Sequence, residues 1–121
     1  MMKLDNHITL SDGNVPEVTV RWLREHLDDV TLVDVRETDE LVGPLGHISG
    51  VRHVPLGKIG AFLEDASPEE PFVFICRSGG RSGDAALKAK RAGVKNVASL
   101  AGGMISWNEA GFVSSNKWPS S

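Results

Sequence analysis

The chain has 121 residues, 40% hydrophobic and 24% charged, which is the composition of one globular domain and excludes a wholly disordered chain. A domain of this size buries roughly two-thirds of its unfolded surface, so it needs no disulfide framework, and its single cysteine could form none within the chain. The net charge of -3, with no aromatic residue inside the basic stretch 76–95, argues against nucleic-acid binding.

No apolar run reaches the roughly 18 residues that span a bilayer. The start, Met1-Met2-Lys3-Leu4-Asp5-Asn6-His7, is not a secretory signal, so a soluble, cytoplasmic protein without membrane partners is expected. Ile8-Thr9-Leu10 reads as a short edge strand before the turn Ser11-Asp12-Gly13-Asn14. Thr19 is placed to cap a helix over 20–27, whose Val20, Leu23 and Leu27 share one face. Residues 30–35 are β-branched and apolar and predict a buried strand, with Asp34 standing where a core residue is expected. Thr38 is placed to cap a short helix that runs to Val42 and is ended by Gly43-Pro44-Leu45-Gly46.

A short strand over 53–56 and a helix over 59–64 follow, then a surface loop over 67–71. Phe72-Val73-Phe74-Ile75 is the strongest buried strand, and it ends at Cys76. Beyond the loop 76–81, a helix over 82–92 turns Ala85, Ala86 and Ala89 inward and stops at Gly93. Residues 96–100 predict a strand, 101–103 a turn, and 104–110 a last helix carrying Trp107 into the core. The polar residues 114–121 predict a frayed tail. Strands alternating with helices give an α/β domain with a largely parallel sheet. One domain covers 1–121, with its core at about 16–111.

In such sheets ligands bind beyond the carboxyl ends of the strands, and Cys76 stands at one of those ends, directly before a helix. A lone cysteine by itself reads as an inert buried small hydrophobe. Its neighbours change that reading. Strand, tight loop and helix start together make an anion site from converging N–H groups and the helix end. Gly79 and Gly80 let the loop curl, and Cys76 places its sulfur inside the ring, where the same field favours the nucleophilic thiolate. Arg77 and Arg81 add forked donors for a tetrahedral oxyanion, although Arg81 could instead brace the loop. Ser78 and Ser82 add hydroxyls, although Ser82 could instead cap the helix. Charge placement agrees: residues 1–75 hold 6 basic and 14 acidic residues, whereas residues 76–95 hold 6 basic residues against Asp84 alone. A small anionic substrate suits that cluster.

These residues resemble the rhodanese-like sulfurtransferases in their single-domain form, over roughly Pro16 to Gly111. Leu32-Val33-Asp34-Val35-Arg36-Glu37 is similar to the family's first strand with its Asp-x-Arg signature. Gly46-His47-Ile48-Ser49-Gly50-Val51 is similar to the Gly-His-Ile-Pro-Gly-Ala turn, with Ser49 and Val51 as mild departures. Cys76-Arg77-Ser78-Gly79-Gly80-Arg81-Ser82 is similar to the active loop, and Gly102-Gly103 with Trp107 to the closing signature.

The resemblance implies a three-layer domain whose mostly parallel sheet of about five strands is flanked by helices. It implies sulfur transfer through a persulfide on Cys76, with no cofactor beyond that covalent intermediate and no metal. The donor would be a small sulfur anion such as thiosulfate. The acceptor would be cyanide in an assay, or a thiol or sulfur-carrier protein. Arg77, Ser78, Gly79, Gly80, Arg81 and Ser82 would bind substrate. Asp34 and Arg36 would support the loop, either lining the pocket or forming a structural ion pair. His47 reads as structural, since a thiolate attacking sulfur needs no base. His7, His26 and His53 show no metal-ligand spacing. The six-residue loop from Cys76 to Arg81 goes with sulfur transfer, whereas the related phosphatases and arsenate reductases use one residue more. A persulfide carrier loaded by a partner is the alternative, and a catalytically dead relative is disfavoured by the intact loop. A monomer or weak dimer is expected.

Overall fold

A computed structural model describes residues 2–119. In chain order the elements are β1 (Thr9–Leu10), β2 (Pro16–Val18), α1 (Val20–Glu25), β3 (Thr31–Asp34), α2 (Thr38–Leu41) and β4 (Arg52–His53). They continue with α3 (Ile59–Glu64), β5 (Phe72–Ile75), α4 (Gly80–Arg91), β6 (Val97–Leu100) and α5 (Gly103–Glu109). Single 3-10 turns at Leu27–Asp29 and Leu56–Lys58 lead into β3 and α3.

The sheet order is β1-β2-β6-β5-β3-β4, parallel throughout except for the edge pair β1–β2. The strand alternation of period two sorts its side chains onto two faces. Leu32, Val73, Ile75, Ala98 and Leu100 pack with Leu23, Met104 and Trp107 on the side of α1 and α5. Val33, Phe72, Phe74, Cys76 and Val97 pack with Ile59, Leu63, Ala85, Ala86 and Ala89 on the side of α3 and α4. The result is the expected three-layer α/β arrangement, with Trp107 in the core.

The sheet has six strands among the described residues, where about five were expected. The addition is β2, three residues whose pairing with β6 (Glu17 opposite Ser99) decides their conformation. Thr19 caps α1 as expected, its Oγ1 accepting from Trp22 N at 3.1 Å. The cap of α2 is Glu37 rather than Thr38. Glu37 and Glu40 bond each other's backbone N–H groups reciprocally, which satisfies two orphan donors at once. Helix α4 begins at Gly80, two residues before the expected start, because Gly79 takes φ 112 and turns the chain into the helix.

The expected frayed tail is also corrected. Ser115 pairs both ways with His47 at 2.9 Å, and the Trp118 ring stands edge-on to His47 and His53. Those contacts bury apolar and polar surface that a free tail would leave in water. Ser120 and Ser121 of that tail, like Met1, lie outside the described residues. No helix among the described residues is long and apolar enough to cross a membrane.

Candidate active site

Strand β5 lies between β3 and β6, so its carboxyl end opens at the middle of the sheet edge. Asp34 pairs with Ile75 there, and Val35 N donates to Ile75 O at 2.9 Å. The next residue, Cys76, follows the alternation of β5 and points with Phe74 toward α4. It is 1% exposed and a free thiol.

The loop then closes over the sulfur. Gly79 N donates to Sγ at 3.0 Å, a contact that the positive φ of Gly79 makes available. Ser82 Oγ lies 3.3 Å from Sγ, 3.3 Å from Gly79 O and 2.7 Å from Ser99 Oγ. Ser82 is thus inside the first turn of α4 and not its cap. Both serines are fully buried. Ser78 and Gly80 are exposed at the loop.

From below, the loop rests on α5. Met104 N donates to Cys76 O at 2.9 Å and Ile105 N to Arg77 O at 3.0 Å. Gly103 lies so close beneath that a Cβ there would stand 2.5 Å from Cys76 O and 2.6 Å from Arg77 O. Its φ of +56 likewise favours glycine. Gly103 is therefore required by close approach to the loop backbone, whereas a Cβ at Gly102 would run into the Ser106 side chain of α5.

The two loop arginines differ. Arg81 makes a forked contact with Glu40 of α2, Nη1 to Oε1 at 2.7 Å and Nη2 to Oε2 at 2.8 Å. Hydrogen bonding from Arg81 holds the Glu40 carboxyl at about 2, against 4.5 ordinarily, although burial opposes the shift. The same contact pushes the Arg81 guanidinium up. Arg81 thus ties the start of α4 to α2. Arg77 is exposed, and among the described residues its side chain has no ion-pair or hydrogen-bond partner.

Asp34 and Arg36 form a second, fully buried pair. Arg36 Nε donates to Asp34 Oδ1 at 2.9 Å and Nη2 to Oδ2 at 2.8 Å, and Nη2 also donates to Gly46 O at 2.7 Å. This fork ties the end of β3 to the turn before His47, so the pair is a scaffold. One edge of Arg36 still lines a pocket of about 390 Å³ with Asp39, Glu40, Leu45 and Arg77. A larger hollow of about 670 Å³ between α3 and α4 is lined by no residue of the loop 76–81. His47 donates from Nδ1 to Leu41 O at 2.8 Å and is wholly buried, which fits the structural reading.

Glu40 and Ser99 were not singled out by the sequence. Glu40 carried no signal, since its partner is 41 residues away. Ser99 carried the one that marked Asp34, a polar side chain inside an apolar strand.

Residues 19–110 match the model of the rhodanese-like domain. The chain is 35% identical over 88 residues to the thiosulfate sulfurtransferase GlpE of Pseudomonas aeruginosa, a match covering 73% of this chain and 76% of GlpE. It is 30% identical over 110 residues to YrkF of Bacillus subtilis, a candidate sulfur carrier protein. That match covers 88% of this chain but 58% of YrkF, so the chain spans little more than half of that relative. The human single-domain sulfurtransferase TSTD1 superposes with a TM-score of 0.70 at 25% identity, over 77% of this chain and 95% of TSTD1.

Proposed function

The chain belongs to the rhodanese-like domain family, and from that premise we propose that it moves sulfane sulfur from an anionic donor such as thiosulfate to a thiophilic acceptor through a persulfide on Cys76. The observation that carries this reading is the seat of the sulfur. Sγ stands at the end of a central strand with the Gly79 N–H and the Ser82 hydroxyl turned on it. Both groups can donate to an anionic sulfur, and charge-assisted bonds of this kind are the stronger ones.

In the first step the Cys76 thiolate attacks the outer sulfur of thiosulfate. A Cys76 S–S bond forms, the donor's own S–S bond breaks, and sulfite leaves with the electron pair. Arg77 meets the sulfonate oxygens, because its charge is exposed and unneutralised, whereas Glu40 already neutralises Arg81. In the second step the acceptor attacks the outer sulfur of the persulfide and the Cys76 thiolate is restored. Cyanide leaves as thiocyanate; a thiol leaves as a persulfide of its own. The thiosulfate sulfurtransferase GlpE among the relatives supports this choice of donor.

The test is thiocyanate formation from thiosulfate and cyanide. Turnover is expected in the native chain and none in Cys76→Ser, with intact mass showing one added sulfur on the native chain after thiosulfate alone. Turnover surviving in Cys76→Ser, or aryl phosphate hydrolysis of comparable rate, would sink the proposal.

The similarity to YrkF favours a second reading, a carrier whose Cys76 receives its sulfur from a partner protein. A chain that gains one sulfur from a cysteine-desulfurase reaction but turns over no thiosulfate supports that reading instead.

A further inference from the structure

Ser99 has no place in the sulfur-transfer cycle as described, yet it sits at the end of a buried chain of polar atoms leading to the reacting sulfur. On β6, Val97 and Ser99 share the face that meets α4, where Val97 packs with the alanines of the helix. Ser99 is a hydroxyl in that apolar layer, 0% exposed. A buried hydroxyl without a partner costs free energy, so each one needs its proton accounted for.

That accounting has a direction. Among the described residues the Ser99 hydroxyl has one partner, Ser82 Oγ at 2.7 Å. Its proton therefore goes to Ser82 Oγ. Ser82 then holds a single proton of its own, with two acceptors both at 3.3 Å: the sulfur of Cys76 and the carbonyl of Gly79. An anionic sulfur draws it; a neutral one releases it to Gly79 O. Hydrogen bonds in a chain polarise one another, so donation from Ser99 strengthens donation from Ser82.

We propose that Ser99 is a positioning residue for sulfur transfer: its hydroxyl fills the acceptor side of Ser82 and so leaves the Ser82 proton free to follow the charge on Cys76. In the thiolate, Ser82 donates to Sγ. Once the outer sulfur is bound and carries the charge, Sγ is neutral and the Ser82 proton swings to Gly79 O. Ser99 donates to Ser82 in both states. This inference rests on the Cys76 reading for its purpose, but it is tested without any sulfur donor.

The charged groups around Cys76 come from other elements and are left untouched by the test. They are Arg77 and Arg81 of the loop and the start of α4, Glu40 of α2, and the Asp34–Arg36 pair at the end of β3. Strand β6 contributes no titratable group.

The experiment follows alkylation of the single cysteine by iodoacetamide as a function of pH. Ser99→Ala is expected to move the rise in rate to higher pH. At the acid side of the profile the variant should react about threefold more slowly, the scale of one ordinary hydrogen bond. At high pH the two curves should meet, because a fully ionised sulfur no longer depends on the donor. Curves that superimpose throughout, or a fall by one factor at every pH, would overturn the proposal. Should Ser99→Ala not fold, Ser99→Thr and Ser99→Val supply the contrast at constant shape. Thr is expected to follow the native profile and Val the shifted one, and identical behaviour of the two would equally overturn it. Loss of thiosulfate turnover in the native chain would remove the donor reading and leave this measurement intact.

Discussion

Arg77 and Arg81 bracket one short loop and look equivalent in the sequence, but the fold gives them opposite positions. Arg81 reaches a carboxylate in a two-point fork and its charge is neutralised before any substrate arrives. Arg77 stands in solvent with its charge uncompensated. Arg36 is the limiting case of the first kind, a buried arginine bonded to Asp34, to the turn at Gly46 and to the carbonyl of Glu40. A guanidinium that the protein has already satisfied can fix a shape. Only an unsatisfied one adds attraction for an incoming anion.

The comparison can be broken most forcefully at its limiting case. Asp34→Ala leaves the buried Arg36 charge without its partner and is expected to cost about 3–5 kcal/mol in urea unfolding. A loss below ~1 kcal/mol would show that Arg36 does not depend on the pair. Next in size, Arg77→Ala should raise the thiosulfate KM about tenfold, the scale of a lost charge-assisted bond, and affect an uncharged persulfide donor much less. Equal losses for the two donors would make Arg77 another brace.

Glu40→Gln sharpens the contrast, since it releases Arg81. We expect a stability loss of about 1 kcal/mol or less, because the pair is partly exposed, together with a thiosulfate KM that falls at low salt. An unchanged or higher KM would show that Arg81 matters to the anion only through loop shape. The smallest effect concerns acid. The Glu40 carboxyl is held at about 2, below the ordinary 4.5, so its contribution is complete above about 4.5 and is lost as pH falls through about 2. The acid-unfolding curve of Glu40→Gln should lie closer to the native curve at pH 2 than at pH 5. A constant gap between the curves would contradict that assignment.

What the sequence made legible is what local pattern controls. The run Phe72–Ile75 is apolar on both faces, and it is a central strand with the expected bounds. Thr19 and the inward alanines of α4 also behaved as expected, since capping and helical periodicity act within one turn. Elements decided by distant partners were not legible. Three residues of β2 have too little periodicity to declare a strand until β6 pairs with them. The polar tail looked unconstrained because its partners, His47 and His53, lie far back in the chain. In the candidate site the same division holds: Cys76 and its loop are contiguous and readable, whereas Glu40 and Ser99 reach the loop from other elements.

Helix α5 contributes no side chain to the sulfur, yet two of its amides hold the carbonyls of Cys76 and Arg77. A peptide loop has as many carbonyls as N–H groups, and left alone it has no net polarity toward its centre. An oxygen facing inward would repel an anion. By drawing two oxygens downward, and by having glycine at 103 so that it can come close enough to do so, α5 makes the ring one-sided. The electrostatic character of the loop is thus partly written in the helix that lies beneath it.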